Sequence, residues 1–212
     1  MKRYDFDHAN WGSRSKITYR DDCIIKPYRQ YYQRKSIPCN RQYWTMCGNH
    51  ITNTDTIRVG AELPHLLDRG LFTAKQFVGV DNGDGIISNN ARCIPQSTWI
   101  HGDFVETLHE CDDFRPAIIH IDTVSMSTNA WFILDGTIRR VQYCSWPVMV
   151  TINVIAKRWM DKRESDGSEI INKLMAGLPS RWSICQRLYK YTGVLSSSRT
   201  RMLALVLFYQ GK

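Results

Sequence analysis

No stretch of this sequence is apolar for long enough to cross a bilayer. A span needs about eighteen such residues, and the longest candidate, Trp146 to Ala156, is interrupted by Thr151 and Asn153. The opening residues, Met-Lys-Arg-Tyr-Asp-Phe-Asp, lack the apolar centre of a secretion signal. There is no CxxC pair: the seven cysteines (23, 39, 47, 93, 111, 144 and 185) are scattered and odd in number, which excludes a disulfide framework and a zinc knuckle. Cys39, Cys47 and His50 lie close in sequence, but their spacing fits no common zinc pattern, and no metal is expected. Internal repeats and low-complexity segments are also missing. The expectation is a soluble, cytoplasmic chain with reduced thiols and no membrane contact.

What is present is a length of 212 residues, enough for one compact domain with an attached arm, and a net charge of +8. The charge is unevenly placed. Residues 1–42 hold ten Lys/Arg against four acidic residues, residues 43–160 hold nine against twelve, and residues 161–212 hold nine against four. Basic ends flanking an acidic middle suit a ligand-binding core whose flanks meet a polyanion, because phosphates are neutralised by clustered cations. Solubility alone is the competing account of the excess.

From residue 43 onward, short apolar runs alternate with segments of helical period. The strand candidates are Gln42–Cys47, Gln76–Val80, Thr98–His101, Ala117–Ile121, Val148–Ile155, Gln186–Tyr191 and Met202–Tyr209. Helices are expected at Ala61–Arg69, Asp84–Ala91, Phe104–Glu110, Ser127–Tyr143 and Ser168–Ala176. Alternation implies parallel strands with ligands at their carboxyl edge. The last two strands are separated only by Thr192–Arg201, too short for a helical crossover, and should form an antiparallel hairpin. The predicted domain boundary falls between a basic aromatic arm, residues 1–41, and an α/β domain, residues 42–212.

Three successive strands, the second to the fourth, end on an aspartate. The first is followed by Cys47-Gly48-Asn49, the second by Asp81-Asn82, the third by Gly102-Asp103-Phe104 and the fourth by Asp122-Thr123. A single such aspartate commonly caps the next helix; three in sequence beside a glycine turn suggest a binding edge. The segment "VDNGDGIISNN" could be a calcium loop, a hairpin or a ribose site. Calcium is disfavoured because Gly83 and Gly85 occupy the third and fifth places counted from Asp81, where side-chain oxygens are needed. A hairpin is disfavoured because the residues after the turn look like a helix start. A carboxylate closing the second strand, placed to accept from both hydroxyls of a ribose, remains.

The seven-strand order with a terminal hairpin, together with Gly48, Asp81, Asp103 and Asp122, resembles the class I S-adenosylmethionine-dependent methyltransferases over residues 42–210. The segment "SIPCNRQYWTMCGN" also resembles small methyltransferase-like proteins of phage and environmental sequences. The likeness implies a Rossmann-like, mostly parallel seven-stranded sheet with helices on both faces and S-adenosylmethionine as cofactor. It places Cys47, Gly48 and Asn49 at the methionine part, Asp81 and Asn82 at the ribose, Asp103 and Phe104 at the adenine, and Asp122 and Thr123 at the methyl group. The glycine turn is reduced to Gly48, and the spacing from Cys47 to Asp81 suggests an insertion within Ile51–Gly60. The fourth strand lacks the Pro-Pro-aromatic signature of base-amine methylation. Of the Lys-Asp-Lys-Glu constellation of ribose 2′-O-methyltransferases, Asp122 and Lys157 match the middle pair; the first lysine would be Lys26 or Lys35, and Lys190 stands near the place of the glutamate. The departures leave open a non-catalytic nucleic-acid or protein binding module, or an enzyme using another adenosyl ligand.

The segment "KPYRQYYQRKSIPCNRQYW" interleaves Lys26, Arg29, Arg34, Lys35 and Arg41 with Tyr28, Tyr31, Tyr32, Tyr43 and Trp44. That composition suits single-stranded nucleic acid, with cations for phosphates and rings for bases; Lys26, Arg29, Tyr31, Arg34, Lys35 and Arg41 are the expected contacts. Equally, Tyr28, Tyr31 and Tyr32 could be the core-facing stripe of an amphipathic helix.

Overall fold

The computed structural model describes residues 14–48, 61–122, 127–155, 176–192 and 199–212. The expected insertion at 51–60, most of the expected helix at 168–176, and Asn49, Thr123 and Lys157 lie outside them. Seven strands form one sheet: β1 (Gln42–Met46), β2 (Phe77–Asp81), β3 (Thr98–His101), β4 (Pro116–Asp122), β5 (Val148–Ile155), β6 (Trp182–Thr192) and β7 (Arg199–Tyr209). Their spatial order is β3-β2-β1-β4-β5-β7-β6. The first five are mutually parallel, while β7 runs antiparallel to both β5 and β6. The expected hairpin is therefore present, with longer arms than the apolar pattern suggested. The order reverses between β1 and β4, and the carboxyl ends of the strands at such a reversal are where open α/β sheets bind ligands.

Central strands covered on both faces need apolar residues at every position and not at alternate ones. In β4 all residues from Pro116 to Ile121 are buried. On one face, Trp44, Val78, Ile119, Ile121, Val150 and Leu205 pack against α5 (Phe104–Glu110) and α6 (Ser127–Val141) through Phe104, Leu108, Leu134 and Val141. On the other, Tyr43, Phe77, Ile118, Met149 and Val206 meet α3 (Glu62–Asp68) and the N-terminal helices.

Those helices are α1 (Arg14–Arg20) and α2 (Lys26–Tyr32), joined without a break by a π-helical turn at Asp21–Ile25. The segment expected as an arm thus contributes Tyr19, Cys23, Ile24, Ile25, Tyr28 and Ile37 to the core. The turn is fastened to α3 by Asp21, which meets His65 Nε2 at 3.0 Å and the Arg69 guanidinium at 2.9 Å.

At Gly79, in the middle of β2, a Cβ would stand 2.7 and 2.8 Å from the Trp99 ring and 3.0 Å from Cys47 Sγ. The Trp99 indole is itself held by a 2.9 Å bond to the Ile94 carbonyl. Gly79→Ala is expected to destabilise the fold by about 1–3 kcal/mol through overpacking, measurable as a lowered urea midpoint. An unchanged midpoint would show that Trp99 can move aside.

Candidate functional site

Strand register places the acidic residues. Thr45 of β1 lies opposite Gly79 of β2 and His120 of β4. Two residues further along each chain, Asp81, Cys47 and Asp122 therefore share a level on the same face, and Asp122 is in turn opposite Asn153 of β5. Asp81 and Asp122 are separated by one strand, about 10 Å at the usual strand spacing. The face is the one covered by α1 and α3.

Asp81 closes β2, as expected, and the chain enters α4 (Asp84–Cys93) directly afterwards. The helix start read after the turn is confirmed. One Asp81 oxygen accepts from Gly83 N–H at 2.8 Å. Burial raises the Asp81 carboxyl above its ordinary range, partly countered by that N–H and by nearby His101. After β1, Cys47 N–H donates to the Val80 carbonyl at 3.0 Å, and Asn90 of α4 donates to the Gly48 carbonyl at 3.1 Å. Asn90 was not singled out from the sequence; its complete burial inside a polar helix is the tertiary sign of its role. The Cys47 thiol is buried, and burial, then the charges of Asp81 and Glu62, push its pKa up, so it stays protonated.

Asp103 behaves as a helix cap. Its Oδ1 accepts from Val105 N–H at 2.8 Å and Glu106 N–H at 3.1 Å, which stabilises the start of α5. Phe104 is buried in the core among Trp44, Val78 and Leu134, so its ring is not at the surface to meet an adenine. Asn82 is exposed, and its carbonyl faces His101 Nε2 at 3.0 Å.

Asp122 ends β4 with 12% of its side chain exposed and lies 3.4 Å from Lys16 Nζ of α1. Burial alone would raise its carboxyl; Lys16, His120, Asn153 and Arg20 together outweigh burial and hold it well below the usual carboxylate range. Neither of the lysines expected at this place is near it. Lys26 is exposed and paired with Asp22 at 2.5 Å, and Lys35 is exposed on the segment before β1. The lysine beside the aspartate is Lys16, because α1 and not α2 crosses the carboxyl edge. The Asn153 Oδ1 atom of β5, level with Asp122, and the Thr151 Oγ1 atom, level with His120 further into the sheet, are buried and have no hydrogen-bond partner among the described residues.

Beneath Asp122 lies a buried polar cluster that sequence reading missed. His120 Nδ1 stands 2.6 Å from Glu62 of α3, and both side chains are buried. Tyr43 OH donates to the same carboxylate, Thr45 Oγ1 lies 3.4 Å from its other oxygen, and Tyr19 of α1 meets His120 Nε2 at 2.9 Å. Burial works to raise the Glu62 carboxyl, but His120, Arg20 and the Tyr43 hydroxyl bring it down to about 2. Glu62 is therefore a carboxylate that can only accept, so His120 Nδ1 carries a hydrogen. The cluster joins β1, β4 and α3 to α1, the helix that carries Lys16. A lone histidine in an apolar strand and a glutamate starting a helix gave no joint sequence signal.

In the basic segment, Tyr28 is buried and Tyr31 stacks on Phe208 with centroids 3.9 Å apart. The core-facing stripe is thus the reading that the packing follows for Tyr28. Arg29 donates to the carbonyls of Lys35 at 2.9 Å and Arg69 at 2.6 Å. Arg34 and Arg41 line a cavity described below. Lys190 and Arg201 stand opposite each other in the terminal hairpin. No helix among the described residues is long and apolar enough to cross a membrane.

No protein-family model matches the chain, and no curated protein matches its sequence. Solved structures do match its fold. A Clostridium thermocellum protein assigned as an rRNA methylase aligns with a TM-score of 0.53 at 9% identity, covering 90% of this chain and 96% of that one. A Thermoplasma acidophilum protein aligns with a TM-score of 0.51 at 9% identity, over 87% and 82% of the two chains. A Haemophilus influenzae protein assigned as a methylase aligns at 0.50 and 10% identity, over 94% and 90%. With the strand order and terminal hairpin, these matches define the fold: it is the Rossmann-like fold of the class I S-adenosylmethionine-dependent methyltransferases.

Proposed function

We propose that this chain is an S-adenosylmethionine-dependent methyltransferase acting on a hydroxyl group of nucleic acid. The observation that carries the reading is Lys16 drawn to 3.4 Å from Asp122 at the carboxyl edge, level with Asp81 one strand away on the same face. The residues fit the cofactor best at its ribose and at the transferred group. Asp81 has one oxygen turned to Gly83 and a second for a ribose hydroxyl, and Cys47-Gly48 lies between Asp81 and Asp122. The unsatisfied Asn153 oxygen opposite Asp122 suits an edge completed by a ligand. The fit is weaker at the adenine, where Asp103 caps its helix and Phe104 is buried.

Bound S-adenosylmethionine supplies an electrophilic methyl group on a sulfonium. The protein's part is alignment and charge. Asp122 holds the Lys16 ammonium at the edge, and the ammonium stabilises negative charge growing on an acceptor oxygen as that oxygen gives up its proton to solvent water. Lys157, which follows β5 in sequence, is proposed as a second cation for the same oxygen. The nucleic-acid acceptor is supported by the basic flanks, +6 over residues 1–42 and +5 over residues 161–212.

Calorimetric titration should give heat with S-adenosylmethionine and S-adenosylhomocysteine at a micromolar site. Asp81→Ala is expected to weaken both at least tenfold, the equivalent of about 1.4 kcal/mol. No heat with either ligand, at protein concentrations that would reveal a micromolar site, overturns the enzyme reading.

A further inference from the structure

The edge of the sheet opposite the proposed methyl-transfer site carries a cavity of about 430 Å³. It lies where the chain enters β1, β4 and β5, among Tyr31, Tyr32, Arg34, Arg41 and Trp146. Since β1 is five residues long, this edge is about 17 Å from the carboxyl edge at the usual strand rise. The volume lies within the range of about 300–1,000 Å³ usual for small-molecule sites.

Its chemistry is specific. Tyr31 stacks on Phe208 with an interplanar angle of 9°, yet keeps 39% of its surface exposed. Tyr32 meets Tyr31 edge-on at 5.0 Å. The Tyr32 hydroxyl is enclosed and has no hydrogen-bond partner among the described residues, a costly arrangement unless something completes it. The Arg41 guanidinium lies 4.0 Å over the Trp146 ring. Among the described residues no carboxylate pairs with Arg34 or Arg41; the nearby Asp113 is occupied by Arg115 at 2.7 Å and Gln42 at 3.1 Å. Burial, then the charges of Arg115 and Arg34, lower the basicity of Arg41, as expected where like charges crowd without an anion.

We propose that this cavity binds a nucleoside phosphate, free or as one unit of a strand. The tyrosine and tryptophan rings take the base, Arg34 and Arg41 take the phosphate, and the Tyr32 hydroxyl bonds to the base edge. Two unneutralised guanidinium groups beside rings and an orphaned hydroxyl suit a planar polar group joined to an anion better than they suit an acidic peptide, whose carboxylates would use the arginines and leave the rings idle. The site is independent of methyl transfer: it can be measured whether or not the other edge binds S-adenosylmethionine.

Titrations with AMP, with GMP and with a five-nucleotide single-stranded RNA test it. Binding of at least one is expected in the micromolar to low millimolar range. The double variant Arg34→Ala/Arg41→Ala should weaken it at least tenfold and lower its salt dependence. Tyr32→Phe, which keeps the ring packing, should weaken it severalfold. The urea unfolding midpoint should be the same in all variants, which reports that they are folded independently of any ligand. Tighter binding of the RNA than of either mononucleotide assigns the site to a strand, and equal binding assigns it to the free nucleotide. The proposal is overturned if none of the three binds at millimolar concentration, if the double variant binds as the parent does, or if a hexaglutamate peptide binds as tightly as the nucleotides.

Discussion

Glu62→Gln should lower the unfolding free energy by about 2 kcal/mol near neutral pH, the scale of hydrogen bonds to a charged group. The substitution is nearly isosteric, so the loss reports the charge and not a cavity. Glu62 is fully enclosed against His120, Tyr43 and Thr45, and its carboxyl is held near 2, compared with 4.5 when unperturbed. A carboxyl depressed in the folded state contributes stability that is fully present above its unfolded value and is lost as pH falls towards its folded value. The difference between parent and variant should therefore be constant above about pH 5 and shrink from there towards pH 2, as read from urea unfolding at a series of pH values. A loss under about 1 kcal/mol at neutral pH would show that the carboxylate gains little from its partners over a neutral amide.

Asp122→Asn should reduce methyl transfer at least 100-fold, within the usual range of about 10²–10³ for loss of a positioned group that stabilises transition-state charge, while changing S-adenosylmethionine affinity by less than about threefold. Lys16→Met should behave alike, since the two side chains act as one pair at 3.4 Å, and the double variant should be little worse than either single one. Radiolabelled methyl transfer to RNA pools, under single-turnover conditions, gives the rate; calorimetry gives the affinity. Because Lys16, His120, Asn153 and Arg20 keep Asp122 ionised well below the usual carboxylate range, its protonation should not shape the rate profile between pH 5 and 8. Full activity in Lys16→Met would remove the pair from the chemistry, and additive losses would mean that the two act separately.

The strand pattern of β1 to β5 was legible because local order carries it. Val148–Ile155 and Thr98–His101 agree with their sequence ranges, and Asp84 does begin a helix after the turn that follows β2. The hairpin of β6 and β7 followed from the shortness of its connection. Chemistry at the strand ends was legible only in part. Asp81 and Asp122 are placed together because both close parallel strands with side chains on one face, whereas Asp103 precedes a helix whose free N–H groups claim its carboxylate.

The partners of those residues were out of reach. Glu62 and His120 are 58 positions apart, and Lys16 is 106 positions from Asp122; no periodicity links them. Lys26 and Lys35 stood nearer the first strand in sequence, but α1 and α2 pass across different edges of the sheet, and only the helix path decides which cation arrives. The basic aromatic segment shows the same division. Its composition announced cations and rings, and packing then buried Tyr28, tied Arg29 to carbonyl groups and left Tyr31, Arg34 and Arg41 around a cavity. The sequence by itself determined the alternation of elements and the acidic strand ends, since these rest on interactions between near neighbours and on the period of each element. Tertiary structure alone decided which charges are paired, which rings are buried and which lysine meets Asp122, because burial and ion pairing depend on distances that exist only once the helices lie on the sheet.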